Sequence, residues 1–391
     1  MSNEKKVAII SLESINNVGD EILGTTMRYL VADYCKEITT VELKPSNKEL
    51  NWNDRRIRKA VFHLLNSAET LFRDTWLEHR IINWEYLVRL NKYFSDAFID
   101  VDAIIFAVGM LKYKTQNFSY IFDIIIKNAE KRNIPIYMSA MSIAKPDRED
   151  WRYNRLKKAL QSNSIKCITT RDGEAGVELL KKYYINRNNI KIDFVGDPAL
   201  YIPECYGIKK QNRCGGIIGI NLINPNIFIK YGGSITADKL TGLYIDLISD
   251  LLSKKQQFKL FSNGIEDDYN LGKTIIHELN IPDDYLEKRP ENAVEYLNCI
   301  SKYSIVFGAR LHACISSVAL GIPVVGIIWD DKIKYFAETM HISEFFIPEE
   351  SLNKEIIQDR LENIELQRID KDTINSLKQK TLFYIQSFLT C

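Results

Sequence analysis

Short runs of β-branched and aliphatic residues alternate along this chain with longer segments whose apolar positions recur every three or four residues. The first run, Val7–Leu12, is followed by a polar loop and a helical segment from about Glu21 to Cys35. Ala103–Val108, Ile134–Ser139, Cys167–Thr170 and Asp193–Val195 also read as strands, with helical patterns between most of them. That order favours parallel strands joined by crossover helices. After Pro203 the pattern restarts. Gly215–Asn221, Phe258–Ser262, Ser304–Phe307 and Val324–Ile328 read as strands, separated by helical stretches near 237–253, 268–279, 291–302 and 312–320. The polar stretch Glu204–Cys214 is the natural linker. The expected architecture is therefore α/β with two Rossmann-like domains facing a cleft, 1–203 and 204–350.

Two segments depart from this grammar. Residues 51–99 form a long aromatic and basic stretch of helical pattern with no strand, longer than a normal crossover, and read as a helical insertion in the N-terminal domain. One reading makes it a hairpin covering the N-terminal sheet or an oligomer contact. The other makes it a membrane-surface face, with Arg55, Arg56, Arg58 and Lys59 toward anionic headgroups and Trp52 and Phe62 at the interface. Residues 351–391 form a charged, helical C-terminal tail, which could pack back across the domain junction.

Composition narrows the function classes. Lys and Arg total 52 and Asp and Glu 51, a net charge of +1, so there is no global pull toward nucleic acid and any anion must be met by a local site. Seven cysteines without a C-x-x-C pair suit reduced thiols rather than a disulfide framework or a structural zinc site. His63, His79, His277 and His341 show no ligand spacing, so no metal is expected. Gly19 belongs to no G-x-G-x-x-G pattern, which disfavours a dinucleotide-dependent oxidoreductase. The start of the chain lacks the pattern of a signal peptide, and no apolar run approaches a membrane span, so a soluble, cytoplasmic protein is expected.

The most informative stretch is 304–334. A strand ends at Gly308 and a helix begins near His312, so the first free backbone N–H groups of the helix and its positive dipole end point to one place. Arg310 adds a planar guanidinium suited to phosphate or carboxylate, and His312 a group that carries a proton near neutral pH. Cys314, within the apolar helix, reads as core rather than nucleophile.

This strand–Arg310-Leu311-His312–helix–Gly321-Ile322-Pro323–strand–Asp331-Lys332 arrangement resembles the polysaccharide pyruvyl transferase family. Four further stretches fit it in order: Asn17-Val18-Gly19-Asp20-Glu21, Thr170-Arg171-Asp172, Gly196-Asp197-Pro198, and Phe261-Ser262-Asn263-Gly264 with Asp267. The loop after 103–108 departs from the family's consecutive glycines and reads Ala107-Val108-Gly109-Met110. The resemblance implies a fold like the two-Rossmann-domain (GT-B) glycosyltransferases. It also implies phosphoenolpyruvate as co-substrate with no further cofactor, and a cyclic pyruvate ketal on two hydroxyls of a sugar, in a cell-surface polysaccharide or its lipid-linked precursor.

On that basis Arg171 and Arg310 are expected to clamp the donor from the two domains, with Leu311 and Lys332 beside them. His312 is expected to act as general acid. Asp20 and Glu21 are expected to orient or deprotonate the acceptor, with Asn17 on the same loop. Each has a plainer alternative: Arg171 pairs with Asp172 or Glu174, Asp20 merely caps a helix, and Lys332 is a surface lysine. Two other functions compete with the transferase: a nucleotide-sugar glycosyltransferase of the same form, and a non-catalytic sugar- or phosphate-binding protein.

Overall fold

The computed structural model describes residues 5–13, 17–46, 48–50, 84–114, 118–211, 216–230 and 233–390. The first sheet is built from β1 (Lys6–Ser11), β2 (Glu37–Glu42), β3 (Ala103–Phe106), β4 (Met110–Leu111), β5 (Ile136–Ile143), β6 (Ile165–Thr170) and β7 (Lys191–Phe194). Its order is β2-β1-β3-β5-β6-β7, with β4 paired to β5. The second sheet holds β8 (Ile218–Asn221), β9 (Phe258–Phe261), β10 (Ile305–Gly308), β11 (Val324–Ile328) and β12 (Phe346–Pro348), in the order β12-β11-β10-β8-β9. Every described pairing is parallel.

In each sheet the strand order reverses next to the first strand, between β1 and β3 and between β8 and β10. Open α/β sheets bind ligands outside the carboxyl ends of the strands at such switch points, because the connecting helices diverge there and leave a crevice.

In the first half the described helices are α1 (Val18–Val31), α2 (Trp84–Ala97), α3 (Phe118–Lys131), α4 (Trp151–Ala159), α5 (Gly173–Leu179) and α6 (Ile202–Tyr206). In the second they are α7 (Pro225–Lys230), α8 (Ala237–Ser253), α9 (Glu266–Leu279), α10 (Ala293–Ile300), α11 (Leu311–Ala319) and α12 (Asp331–Thr339), followed by α13 (Lys354–Glu362) and α14 (Lys371–Leu389). Short polar side chains start several of them. Asn17, Asp150, Thr236, Asn292, Asn353 and Asp370 each accept a hydrogen bond from a first-turn N–H, at about 1 kcal/mol per cap.

The central strands sit where the apolar runs predict them, because both faces are covered and every residue of β3, β5 and β8 is buried. Three strands lie outside those runs. β2 is an edge strand in which Val41 alone is buried, β4 has two residues and β12 three. The expected linker is also partly helical: α6 continues through Tyr206 and ends at Gly207, whose φ of +66° suits a residue without Cβ.

The tail ties both halves together. Gln367 clips onto β11 through two hydrogen bonds to the backbone of Val324, both 2.9 Å. α14 then reaches the first sheet, burying Ile385 and Leu389 among Val7, Ile9, Ala103 and Tyr137. Asp193 of β7 receives the Lys380 ammonium (2.8 Å) and the Tyr384 hydroxyl (2.7 Å). Within the expected insertion, α2 buries Leu90 and Phe94 in the core of the first sheet with Phe106 and Phe122, the covering role of the first reading. Arg55, Arg56, Arg58, Lys59, Trp52 and Phe62, on which the membrane-surface reading rests, lie outside the described residues. Among the described residues no helix is long and apolar enough to cross a membrane.

Candidate active site

The loop after β1 reaches α1 through Asn17, whose side chain accepts from Gly19 N (3.3 Å) and donates to the Asp20 carboxylate (2.8 Å). Asn17 is thus the helix cap, and Asp20 is not; it sits in the first turn with only 5% of its surface exposed. Burial pushes Asp20 up to about 7, against the pull of the Asn17 hydrogen bond and the charges of Arg171 and Lys332. Glu21 crosses to the second domain and accepts from Ala293 N at the start of α10 (3.0 Å), a helix-capping contact rather than an open carboxylate. Val18 N donates to Asn263 O (3.2 Å) across the same junction.

His312 lies in the first turn of α11, at the carboxyl end of β10, and is buried against α1. A Cβ on Gly19 would fall 2.2 Å from its Nδ1 and 2.6 Å from its Cγ, so the imidazole occupies the space a side chain would need. Its Nε2 has no hydrogen-bond partner among the described residues. Burial holds His312 down at about 4, with Asp197 opposing and Arg171 and Lys332 adding to the depression. The imidazole is therefore neutral at pH 7.

Arg171 follows β6 and is held on three sides. It pairs with Asp197, donates from Nε to Ser142 Oγ (3.2 Å), and donates from Nη2 to Gly109 O (2.8 Å). Neither Asp172 nor Glu174 is its partner. Asp172 instead accepts from Ser142 Oγ (2.8 Å) and Ile143 N (2.7 Å), anchoring β5 to β6. Gly109 explains the single glycine of its loop: with φ +61°, it would bring a Cβ to 3.1 Å from the guanidinium. Val108 points into the core, and the close approach is made by Arg171 to Gly109.

Lys332 begins α12 and is mostly covered, not a surface lysine; its Nζ is 3.1 Å from Asp330 Oδ2. Burial lowers its pKa, and the Asp330 charge opposes that. Arg171, Asp197, Leu311 and Lys332 line one small cavity of about 20 Å³ with the apolar side chains of Ile315, Phe336 and Met340. Asp20 and His312 both lie within the electrostatic reach of Arg171 and Lys332.

Arg310 is placed differently. Its Nε and Nη2 pair with the two oxygens of the fully buried Asp268 (3.0 and 2.7 Å), and its backbone N donates to Asn221 Oδ1 (3.0 Å). The pair uses two of the five guanidinium N–H groups and holds the plane rigid. Asp267, singled out in the sequence, is exposed, and its neighbour Asp268 faces Arg310. Sequence reasoning missed Asp268 and gave no role to Gly19, Asp197 or Asp330. The N-x-G-D-E and G-D-P stretches carried two of these four, Gly19 and Asp197, as motif letters. Among the described residues, no group of three or more His, Cys, Asp or Glu side chains is placed to hold a metal ion.

A family model of polysaccharide pyruvyl transferases matches residues 17–331. No curated protein matches the chain. Among solved structures, UDP-GlcNAc 2-epimerase from Methanocaldococcus jannaschii is 12% identical, with 97% of this chain and 99% of that one covered and a TM-score of 0.57. A putative UDP-N-acetylglucosamine 2-epimerase from Listeria monocytogenes is 9% identical, with 99% and 94% covered and a TM-score of 0.54. At such identities the likeness concerns the fold alone, the GT-B arrangement of two Rossmann-like domains. The family match spans both switch points and the site residues from Asn17 through Asp330, ending one residue before Lys332, and on it the chain belongs to the polysaccharide pyruvyl transferase family.

Proposed function

We propose that this protein transfers the pyruvyl unit of phosphoenolpyruvate to two hydroxyls of a sugar in a cell-surface polysaccharide or its lipid-linked precursor, giving a cyclic ketal and inorganic phosphate. The observation that carries the reading, besides family membership, is the meeting of a buried histidine of open Nε2 with Arg171 and Lys332 between the two switch points.

Phosphoenolpyruvate brings a phosphate and a carboxylate, and Arg171 and Lys332 supply cations for them beside the wall formed by Leu311. Arg310 keeps three N–H groups beyond its pair with Asp268 and serves as a rigid further donor. The arriving anions reverse the balance that keeps His312 neutral, so it takes up a proton as the donor binds. The imidazolium then gives that proton to the methylene carbon, C2 becomes electrophilic, and a sugar hydroxyl forms the first C–O bond to C2 while losing its proton. The C2–O bond to phosphate breaks, phosphate leaves with the bonding pair, and the neighbouring hydroxyl closes the ketal as its proton departs. Asp20, poised near neutrality, receives a hydroxyl proton. Asn17 and Glu21 hold the loop that carries Asp20.

The test is phosphate release from phosphoenolpyruvate in the presence of a panel of diol-bearing sugars, including lipid-linked ones. The reading expects sugar-dependent release that falls at least 100-fold in His312→Gln. Turnover of a nucleotide sugar with phosphoenolpyruvate ignored would overturn it.

A further inference from the structure

Arg171 is placed by an irregularity in the strand beside its own. The pairing of β5 with β6 runs Met138↔Ile168 and then Met141↔Thr170, so β5 advances three residues where β6 advances two. The extra residue makes a β-bulge at Ser139–Ala140. Ala140 takes φ +50°, a left-handed conformation that a residue with a Cβ rarely adopts, and it is fully buried. Its N–H turns to Thr169 Oγ1 (3.0 Å), which lies 2.9 Å from the Tyr137 hydroxyl, and Ser139 Oγ donates to that same hydroxyl (3.2 Å). This buried polar chain fixes the bulge, and bulges of this kind re-aim the side chains that follow them.

Here the bulge reverses the alternation of the strand. Ile136 and Met138 enter the core with Phe106 and Phe122 before it, and Met141 and Ile143 enter the same core after it. Strict alternation would send Ser142 into that core and Met141 to the opposite face, because one residue of slip exchanges the faces. With the extra residue, Ser142 meets Arg171 instead. Two of the three contacts that hold the guanidinium then pass through Ser142. Its Oγ accepts from Arg171 Nε (3.2 Å), and its backbone N donates to Gly109 O (3.1 Å), the carbonyl that Arg171 Nη2 also reaches (2.8 Å). The Ser142 hydroxyl proton goes to Asp172 Oδ1 (2.8 Å), which leaves the lone pairs of the oxygen for Nε. Nη1 pairs with Asp197, so among the described residues three of the five guanidinium N–H groups are engaged and one remains on each terminal nitrogen. Two such groups in one plane suit two oxygens of a phosphate or a carboxylate.

We propose that Ser142 is a positioning residue for donor binding: its hydroxyl, brought round by the bulge at Ala140, fixes the Nε edge of Arg171 and so aims the two remaining N–H groups at the donor oxyanion. The proposal rests on the donor reading above for what Arg171 binds, and on geometry alone for how Ser142 holds it.

The experiment makes two measurements on the full chain, for wild type, Ser142→Ala, Ser142→Cys, Arg171→Lys and the double variant Ser142→Ala with Arg171→Lys. Cysteine fills the space of serine with a weak acceptor, so it takes the place of alanine should alanine fail to fold. The first measurement is the arginine Nε–H region of a proton–nitrogen correlation spectrum, where the Arg171 signal is the one missing from Arg171→Lys. That signal is expected to exchange with water about tenfold faster in Ser142→Ala and in Ser142→Cys. The second is calorimetric titration with phosphoenolpyruvate, with an expected rise in Kd of about tenfold in Ser142→Ala. In Arg171→Lys, whose side chain keeps the charge but has no Nε–H, adding Ser142→Ala is expected to change Kd by no more than about twofold. A faster-exchanging signal with no binding of phosphoenolpyruvate by wild type would keep the hold of Ser142 on Arg171 and sink the donor reading. An unchanged Nε–H signal, an unchanged Kd in Ser142→Ala, or a Kd that rises equally with arginine and with lysine at 171 would overturn the role of Ser142.

Discussion

The imidazole of His312 rests on the backbone of Gly19, so close that a Cβ there would lie 2.2 Å from Nδ1. The contact joins the first turn of α1 to the first turn of α11, one from each domain. The glycine of the N-x-G-D-E loop and the histidine of the R-L-H stretch are thus two halves of one fitted surface. Its consequence is sharp. Gly19→Ala forces the ring out of place, because it is buried and has nowhere to relax; overpacking of this kind costs about 1–3 kcal/mol. The variant is expected to melt a few degrees lower and to lose at least tenfold in kcat, measured by thermal unfolding and steady-state kinetics. Wild-type turnover in Gly19→Ala would show that the ring position does not matter.

His312 and Asp20 give stability opposite dependences on pH. The folded value of His312, about 4, lies below its ordinary 6.5, so its contribution is complete above pH 6.5 and is lost as pH falls toward 4. The folded value of Asp20, about 7, lies above its ordinary 3.8, so its contribution is complete below pH 3.8 and is lost as pH rises through 7. Melts from pH 4 to 8 are expected to show less loss on the acid side for His312→Gln and less loss on the alkaline side for Asp20→Asn. Three superimposable profiles would contradict both assignments.

The Arg310–Asp268 pair offers a cycle. Removing only one partner leaves a mostly covered charge unpaired, a cost of about 3–5 kcal/mol, whereas replacing both with apolar residues of similar volume is far milder. Asp268→Leu alone is therefore expected to cost more stability than Asp268→Leu with Arg310→Met. Denaturant unfolding of the four proteins measures the coupling, and additive losses would mean that the two side chains are independent.

Much of this was legible in the chain because burial on both faces writes an uninterrupted apolar run. Ile104-Ile105-Phe106 and Val324-Val325 could hardly be anything but central strands. The edges were not legible for the complementary reason: in β2 the exposed Glu37, Thr39 and Thr40 leave Val41 as the single buried position, and β12 is too short to show a period. The site divides in the same way. Arg171, His312 and Lys332 announce themselves by charge and by their place at strand ends. What each one meets is decided by pairing of distant segments, which no local pattern records. Asp267 and Asp268 are adjacent and chemically alike; the turn of α9 alone decides that the second faces Arg310 while the first faces solvent. Likewise, Asp197 reads as a turn residue, and its accepting from Ala199 N bears that out, yet its other oxygen holds Arg171.

On the function proposed above, the cleft between the two domains binds phosphoenolpyruvate and takes up a proton as it does so. Calorimetric titration with phosphoenolpyruvate at pH 7, repeated in buffers of different ionisation enthalpy, tests it most directly. The account predicts saturable binding with net proton uptake, and loss of that uptake in His312→Gln with binding retained. Binding of a UDP-sugar in place of phosphoenolpyruvate, or phosphoenolpyruvate binding whose proton count is unchanged by His312→Gln, would contradict it.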